Sequence, residues 1–99
     1  MYGTTMIAGM RGDRGAMERE LSAWVALRGP VVAGFIDSRL LFAEDGRTVV
    51  NTVRFASRQD YEQLADDPAQ AEWYAERIAP LLEGEARWID GEWFEPPKE

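Results

Sequence analysis

The stretch Gly46-Arg47-Thr48-Val49-Val50-Asn51-Thr52-Val53-Arg54-Phe55-Ala56-Ser57 decides the fold. It reads as the end of a hairpin turn, a central strand, and the cap of a following helix. Side chains alternate across a strand, so Val49, Asn51, Val53 and Phe55 share one face and Val50, Thr52 and Arg54 the other. The first face is apolar except for the amide of Asn51. A buried amide left unpaired costs about 1–3 kcal/mol, so Asn51 is expected to have partners or to face a ligand. This strand is therefore the expected wall of a small pocket.

Upstream, Val31 to Ala43 reads as a long, mostly apolar strand region, with Gly34 set for a bulge or a close backbone approach near its start. Glu44-Asp45-Gly46 joins it to the central strand by a turn too short for a crossover, so the two pair antiparallel. Further back, Gly29-Pro30 stops a helix that carries Met17, Leu21, Trp24, Val25 and Arg28 at helical spacing, with Asp13 as its N-cap. Tyr2 to Met10 alternates as a first strand. Downstream, Ser57-Arg58-Gln59-Asp60 opens a brief helix bearing Tyr61 and Leu64. Asp67-Pro68 then starts a second one that runs through Trp73, Ile78 and Leu82, is loosened near Pro80 and ends at Gly84. Ala86 to Phe94 reads as the last strand, with Gly91 as a bulge or bend. Residues 95–99 form a polar tail that Pro96-Pro97 keeps out of any ladder.

The order strand, helix, strand, strand, helix pair, strand within one domain, residues 1–99, predicts an α+β class. The expected architecture is a ferredoxin-like βαββαβ subunit: a four-stranded antiparallel sheet with helices on one face. The other face carries apolar groups such as Val50 and has no helix left to cover it. A second copy packed sheet to sheet, a homodimer through the open sheet face, is the simplest cover.

Composition removes many chemistries. The 99 residues contain 11 Lys and Arg against 18 Asp and Glu, a net charge of −7 with no basic stripe, which argues against nucleic acid and anionic membrane as partners. There is no cysteine and no histidine. Disulfides, thiolate catalysis, imidazole bases and the commonest metal ligands are thereby excluded, and no cofactor or metal is expected. The acid pairs Glu18/Glu20, Asp66/Asp67 and Glu83/Glu85 read as caps and solvated faces. No apolar run approaches the roughly 20 residues of a membrane span, and no leader pattern opens the chain, so cytoplasmic residence is expected.

The run Val32-Ala33-Gly34-Phe35, then Ser38-Arg39-Leu40-Leu41, Asp45-Gly46, and Val49-Val50-Asn51 through Phe55-Ala56-Ser57-Arg58 resembles the antibiotic biosynthesis monooxygenase family. The resemblance covers most of the chain and its order of elements. It implies a dimeric α+β barrel built from ferredoxin-like subunits. The branch most similar by eye is the cofactor-independent anthrone monooxygenase type of aromatic polyketide pathways. Its asparagine on this strand, aromatic residue four positions on and tyrosine early in the next helix are matched by Asn51, Phe55 and Tyr61. Phe55 stands where that branch commonly has tryptophan, so an indole N–H donor is missing. A haem-degrading branch relies on a histidine in the following helix; here Trp73 and Tyr74 occupy that region.

The resemblance implies Asn51 and Tyr61 as catalytic residues, with a flat aromatic molecule as substrate. In that reading Asn51 orients a carbonyl or stabilises an enolate oxygen, and Tyr61 donates or accepts a proton. Read blandly, Asn51 is a structural amide and Tyr61 a helix-face tyrosine packed on the sheet. Phe55, Trp24, Trp73 and Tyr74 suit either a core or the lining of an aromatic site. Arg77 could reach an anion in the pocket or lie on a solvated face. Arg54 points away from Asn51 and is expected in a salt bridge at an interface or barrel interior, while Trp88 and Trp93 on the last strand are expected at a dimer contact. Two alternatives stand beside the monooxygenase. One is a non-catalytic small-molecule-binding or structural member of the same superfold. The other is an isomerase or lyase for muconolactone-like acids, ranked lower because no acid or imidazole base is read on the pocket face.

Overall fold

The computed structural model describes residues 1–98, so Glu99 of the expected tail lies outside the described residues. Four strands form one sheet: β1 Tyr2–Met10, β2 Phe35–Phe42, β3 Thr48–Phe55 and β4 Leu82–Glu92, in the order β2-β3-β1-β4 and antiparallel throughout. Helix α1, Arg14–Leu27, links β1 to β2; α2, Arg58–Ala65, and α3, Pro68–Trp73, link β3 to β4. This is the ferredoxin-like α+β plan that the sequence pattern predicts. No helix among the described residues is long and apolar enough to cross a membrane.

The helices begin where polar side chains satisfy their first free N–H groups. Asp13, Ser57 and Asp67 accept from the backbone N–H of Ala16, Asp60 and Ala69, and Pro68 opens α3 at a position that has no donor to lose. Past Trp73 the regular pattern ends. Tyr74–Ile78 forms a π turn and Ala79–Leu81 a 3-10 turn, the loosening expected near Pro80.

The parity of β3 holds. Val49 and Phe55 are 0% exposed beneath the helices, in register with Ala8 and Tyr2 of β1. Met6, Ala8, Met17, Val49, Ile78 and Leu82 make the main buried cluster, each such side chain contributing about 1.5–3 kcal/mol if large. On the other face Leu41, Val50 and Ile7 form an apolar row across three strands, and Leu41 is 63% exposed. Arg54 lies on this face too, held by Asp37 through a two-pronged contact of 2.9 and 2.6 Å, with Glu95 at 3.6 Å. That guanidinium keeps the Asp37 carboxyl below the usual carboxylate range.

Several features differ from expectation. Strand β2 starts at Phe35, not Val31, because Val31 and Val32 turn back onto Arg28 and Gly34 takes a left-handed φ of +74°. A Cβ at Gly34 would run into the side chain of Asp60, which is the close approach anticipated there. Strand β4 starts at Leu82, and Gly84, with φ +73°, sits inside it at a register shift instead of ending a helix. Gly91 pairs regularly with Gly3, so the bulge expected at Gly91 lies upstream of it. Trp88 and Trp93 do not share the last strand as expected: Trp88 faces the helices and packs on Tyr74, whereas β4 ends at Glu92 and the Trp93 indole, just past it, donates to Val53 O at 3.1 Å.

Candidate active site

Four strands place successive rows of side chains under the helices. One row runs Leu40, Asn51, Met6, Trp88; the next runs Ser38, Val53, Thr4, Asp90. Small or slender groups at Ser38, Thr4 and Val53 leave room above the sheet that the helices do not fill. The result is a cavity of about 350 Å³ between sheet and helices, reached by Asn51, Phe55, Tyr61, Trp24, Trp73 and Tyr74 together. Six of the seven residues singled out in the sequence therefore converge. Arg77 does not: it lies outside the lining, 61% exposed, 3.9 Å from Glu20.

The walls are aromatic and linked. Tyr2 packs on Tyr61, Tyr61 on Phe55, Phe55 on Phe35, Phe35 on Trp24 and Trp24 on Trp73, with ring centroids 5.2–6.0 Å apart, mostly tilted or edge-on. Tyr74 and Trp88 make a second pair at 5.6 Å on the β4 side. The Trp24 indole donates to Gln70 Oε1 at 3.0 Å, which fixes its plane as a wall instead of a plug. No charged side chain lines the cavity among the described residues.

The polar groups are few and mostly engaged. Asn51 Nδ2 donates to Ser38 Oγ at 2.8 Å and to the carbonyl of Arg39 at 2.9 Å, so both amide hydrogens have acceptors on β2. Among the described residues nothing donates to Asn51 Oδ1. Thr4 Oγ1 donates to Ile89 O at 3.2 Å. The Tyr61 hydroxyl donates to Asp90 Oδ1 at 2.9 Å. Burial first, and the hydrogen bond to the Asp90 carboxylate second, push the Tyr61 phenol up to about 12, so it is a neutral donor across the physiological range. Burial also raises Tyr74.

Sequence reasoning missed Ser38, Gln70 and Asp90. Each is recruited by a long-range partner: Ser38 by Asn51, Gln70 by Trp24, Asp90 by Tyr61. Asp90 also corrects the expectation that no acid stands near the pocket, because parity from Trp88 places it on the helix side of β4. The shared parity of Trp88 and Asp90 is readable in the sequence, but the face they take follows from the pairing of β4 with β1.

No family model matches this sequence, and no curated protein does. Solved structures do match across nearly the whole chain. A candidate antibiotic biosynthesis monooxygenase from Nitrosomonas europaea superposes with TM-score 0.68 at 14% identity, over 96% of this chain and 100% of its own. SnoaB, a cofactor-independent oxygenase from Streptomyces nogalater, gives TM-score 0.69 at 15% identity, covering 97% and 96%. The chain has the fold of the antibiotic biosynthesis monooxygenases. A dimeric ferredoxin-like protein of unknown function from a Jannaschia species shares it, with TM-score 0.61 at 18% identity over 93% and 99%. The monooxygenase fold thus includes both an oxygenase without a cofactor and a protein with no assigned activity, and the fold itself selects neither.

Proposed function

We propose that the chain is a cofactor-independent monooxygenase acting on a flat, enolisable aromatic molecule of the anthrone type. The observation that carries this reading is the cavity: about 350 Å³, aromatic-walled, uncharged, with Asn51 and Tyr61 among its few polar points. A planar polycycle fits such walls, and an apolar, uncharged interior favours chemistry that the substrate drives itself.

The chemistry balances without a cofactor. The substrate loses a proton from a methylene group between its rings, and the electron-rich anion reduces molecular oxygen. One oxygen atom ends as a new carbonyl and the other leaves as water, with all four electrons from substrate and its C–H bonds. Tyr61 supports the first step: its oxygen takes the substrate proton as its own hydrogen passes to Asp90, so no free phenolate forms. Asn51 marks the end at which the substrate oxygen sits. A second copy on the apolar row Leu41, Val50, Ile7 would complete a homodimer, and the Jannaschia neighbour is itself described as dimeric.

Oxygen uptake with a simple anthrone and nothing else added tests the reading. Wild type is expected to exceed the spontaneous rate, with Asn51→Leu and Tyr61→Phe each reduced at least tenfold. Uptake at background in all three proteins would rule the monooxygenase out. The hydrogen bonds that Asn51 and Tyr61 already make inside the chain favour one other reading, a small-molecule-binding protein with the same cavity and no turnover. Saturable binding of the anthrone with no uptake would select it.

A further inference from the structure

We propose that the polar end of the cavity reads a hydroxyl group, with Ser38 Oγ–H as the donor and Asn51 Oδ1 as the acceptor. This rests on the reading that the cavity takes a flat aromatic molecule, and it names which part of that molecule is recognised.

Both N–H groups of Asn51 point at β2, one to Ser38 Oγ and one to Arg39 O, so the amide has no hydrogen left to offer a ligand. An oxyanion-type role for Asn51 itself, the role expected from the sequence, is therefore reversed: what it can present is its carbonyl oxygen. The fixed amide in turn fixes its neighbour. Ser38 Oγ accepts from Asn51 at 2.8 Å, and among the described residues its own hydrogen has no acceptor, unlike the Thr4 and Tyr61 hydroxyls. A hydroxyl that accepts one hydrogen bond donates a stronger one, because the chain polarises along its length. Ser38 and Asn51 both line the cavity, on adjacent strands.

The pair therefore offers one donor and one acceptor, side by side and uncharged. A phenol or enol hydroxyl matches both: its hydrogen goes to Asn51 Oδ1 and its oxygen receives the Ser38 hydrogen. An ether matches only the donor, and a bare hydrocarbon matches neither and leaves both groups unpaired. Asn51 is thus a ligand contact and also the positioning residue for Ser38.

Fluorescence titration of the folded protein with 2-naphthol, 2-methoxynaphthalene and naphthalene tests this, comparing wild type with Ser38→Ala. Wild type is expected to bind in that order of affinity. Ser38→Ala is expected to weaken 2-naphthol and 2-methoxynaphthalene by roughly three- to tenfold, the worth of one hydrogen bond, and to leave naphthalene equal or tighter, since the variant no longer buries an unpaired hydroxyl against it. Ser38→Cys, of similar shape and a weaker donor, should fall between and serves if the alanine variant folds poorly. Affinity for 2-naphthol within twofold of wild type in the variants, or an equal loss for all three probes, would overturn the hydroxyl-reading pair while leaving the aromatic cavity standing. Failure of wild type to bind any of the three would overturn both.

Discussion

Phe55 shows how one side chain serves packing and site together. It is fully buried, edge-on to Phe35 and Tyr61, and its ring forms part of the cavity wall. Phe55→Ala is expected to cost about 3 kcal/mol or more in urea unfolding, because the aromatic contacts on both sides lose their partner. Tyr61 makes a different prediction. Its phenol lies at about 12 in the folded protein against 10.0 for the free group, so the folded state holds that proton more tightly. The stability this provides is full below pH 10 and is lost as the pH climbs from 10 towards 12. Tyr61→Phe should flatten the alkaline limb of a thermal-melt series across that window, and an unchanged limb would count against the buried, Asp90-bound phenol.

At the scale of elements, the start of α2 is locked to the start of β2. Ser57 caps the helix and its hydroxyl donates to Asp60 Oδ2 at 3.0 Å; the Asp60 side chain lies against Gly34, and Ala56 N donates to Gly34 O at 2.8 Å. Gly34→Ala meets two penalties there, a left-handed φ and a clash with Asp60, and should destabilise by more than about 1 kcal/mol. The helices, their caps and the faces of β3 were legible because they follow local rules of period and capping. Val31 and Val32 misled because an apolar pair reads as strand, whereas a backbone turn onto Arg28 decides its shape. Gly84 misled because a glycine after a helical run is the usual stop signal, and here the same left-handed freedom makes a bulge. In the site, aromatic residues on core faces were legible as lining. The hydrogen-bond partners Ser38, Gln70 and Asp90 were not, since pairing across 13, 46 or 29 residues follows from sheet register and helix docking.

For the whole molecule, the helices satisfy one face of the sheet and leave the other with an apolar row beside an Arg54–Asp37 pair. Light scattering on the eluted protein should report about twice 11.2 kDa. Leu41→Asp, which sets a charge in the middle of that row, should shift it towards the single-chain mass without loss of secondary structure. A wild-type monomer would remove the homodimer from the proposal and leave the cavity, which one chain lines by itself, intact.

The upward displacement of Tyr61 has an operational meaning for anyone measuring rates. The chain has no imidazole and no thiol, and its displaced carboxyls and phenols all move away from neutrality: Asp37 and Asp45 downward, Tyr61 and Tyr74 upward. The titratable groups that line the cavity, Tyr61 and Tyr74, thus keep their charge between about pH 6 and 9. A rate profile in that interval becomes an acid–base titration of the substrate, and its midpoint should slide with the substrate's own acidity along a series of substituted anthrones. A midpoint that stayed fixed along the series would mean that the protein, and not its guest, sets the clock.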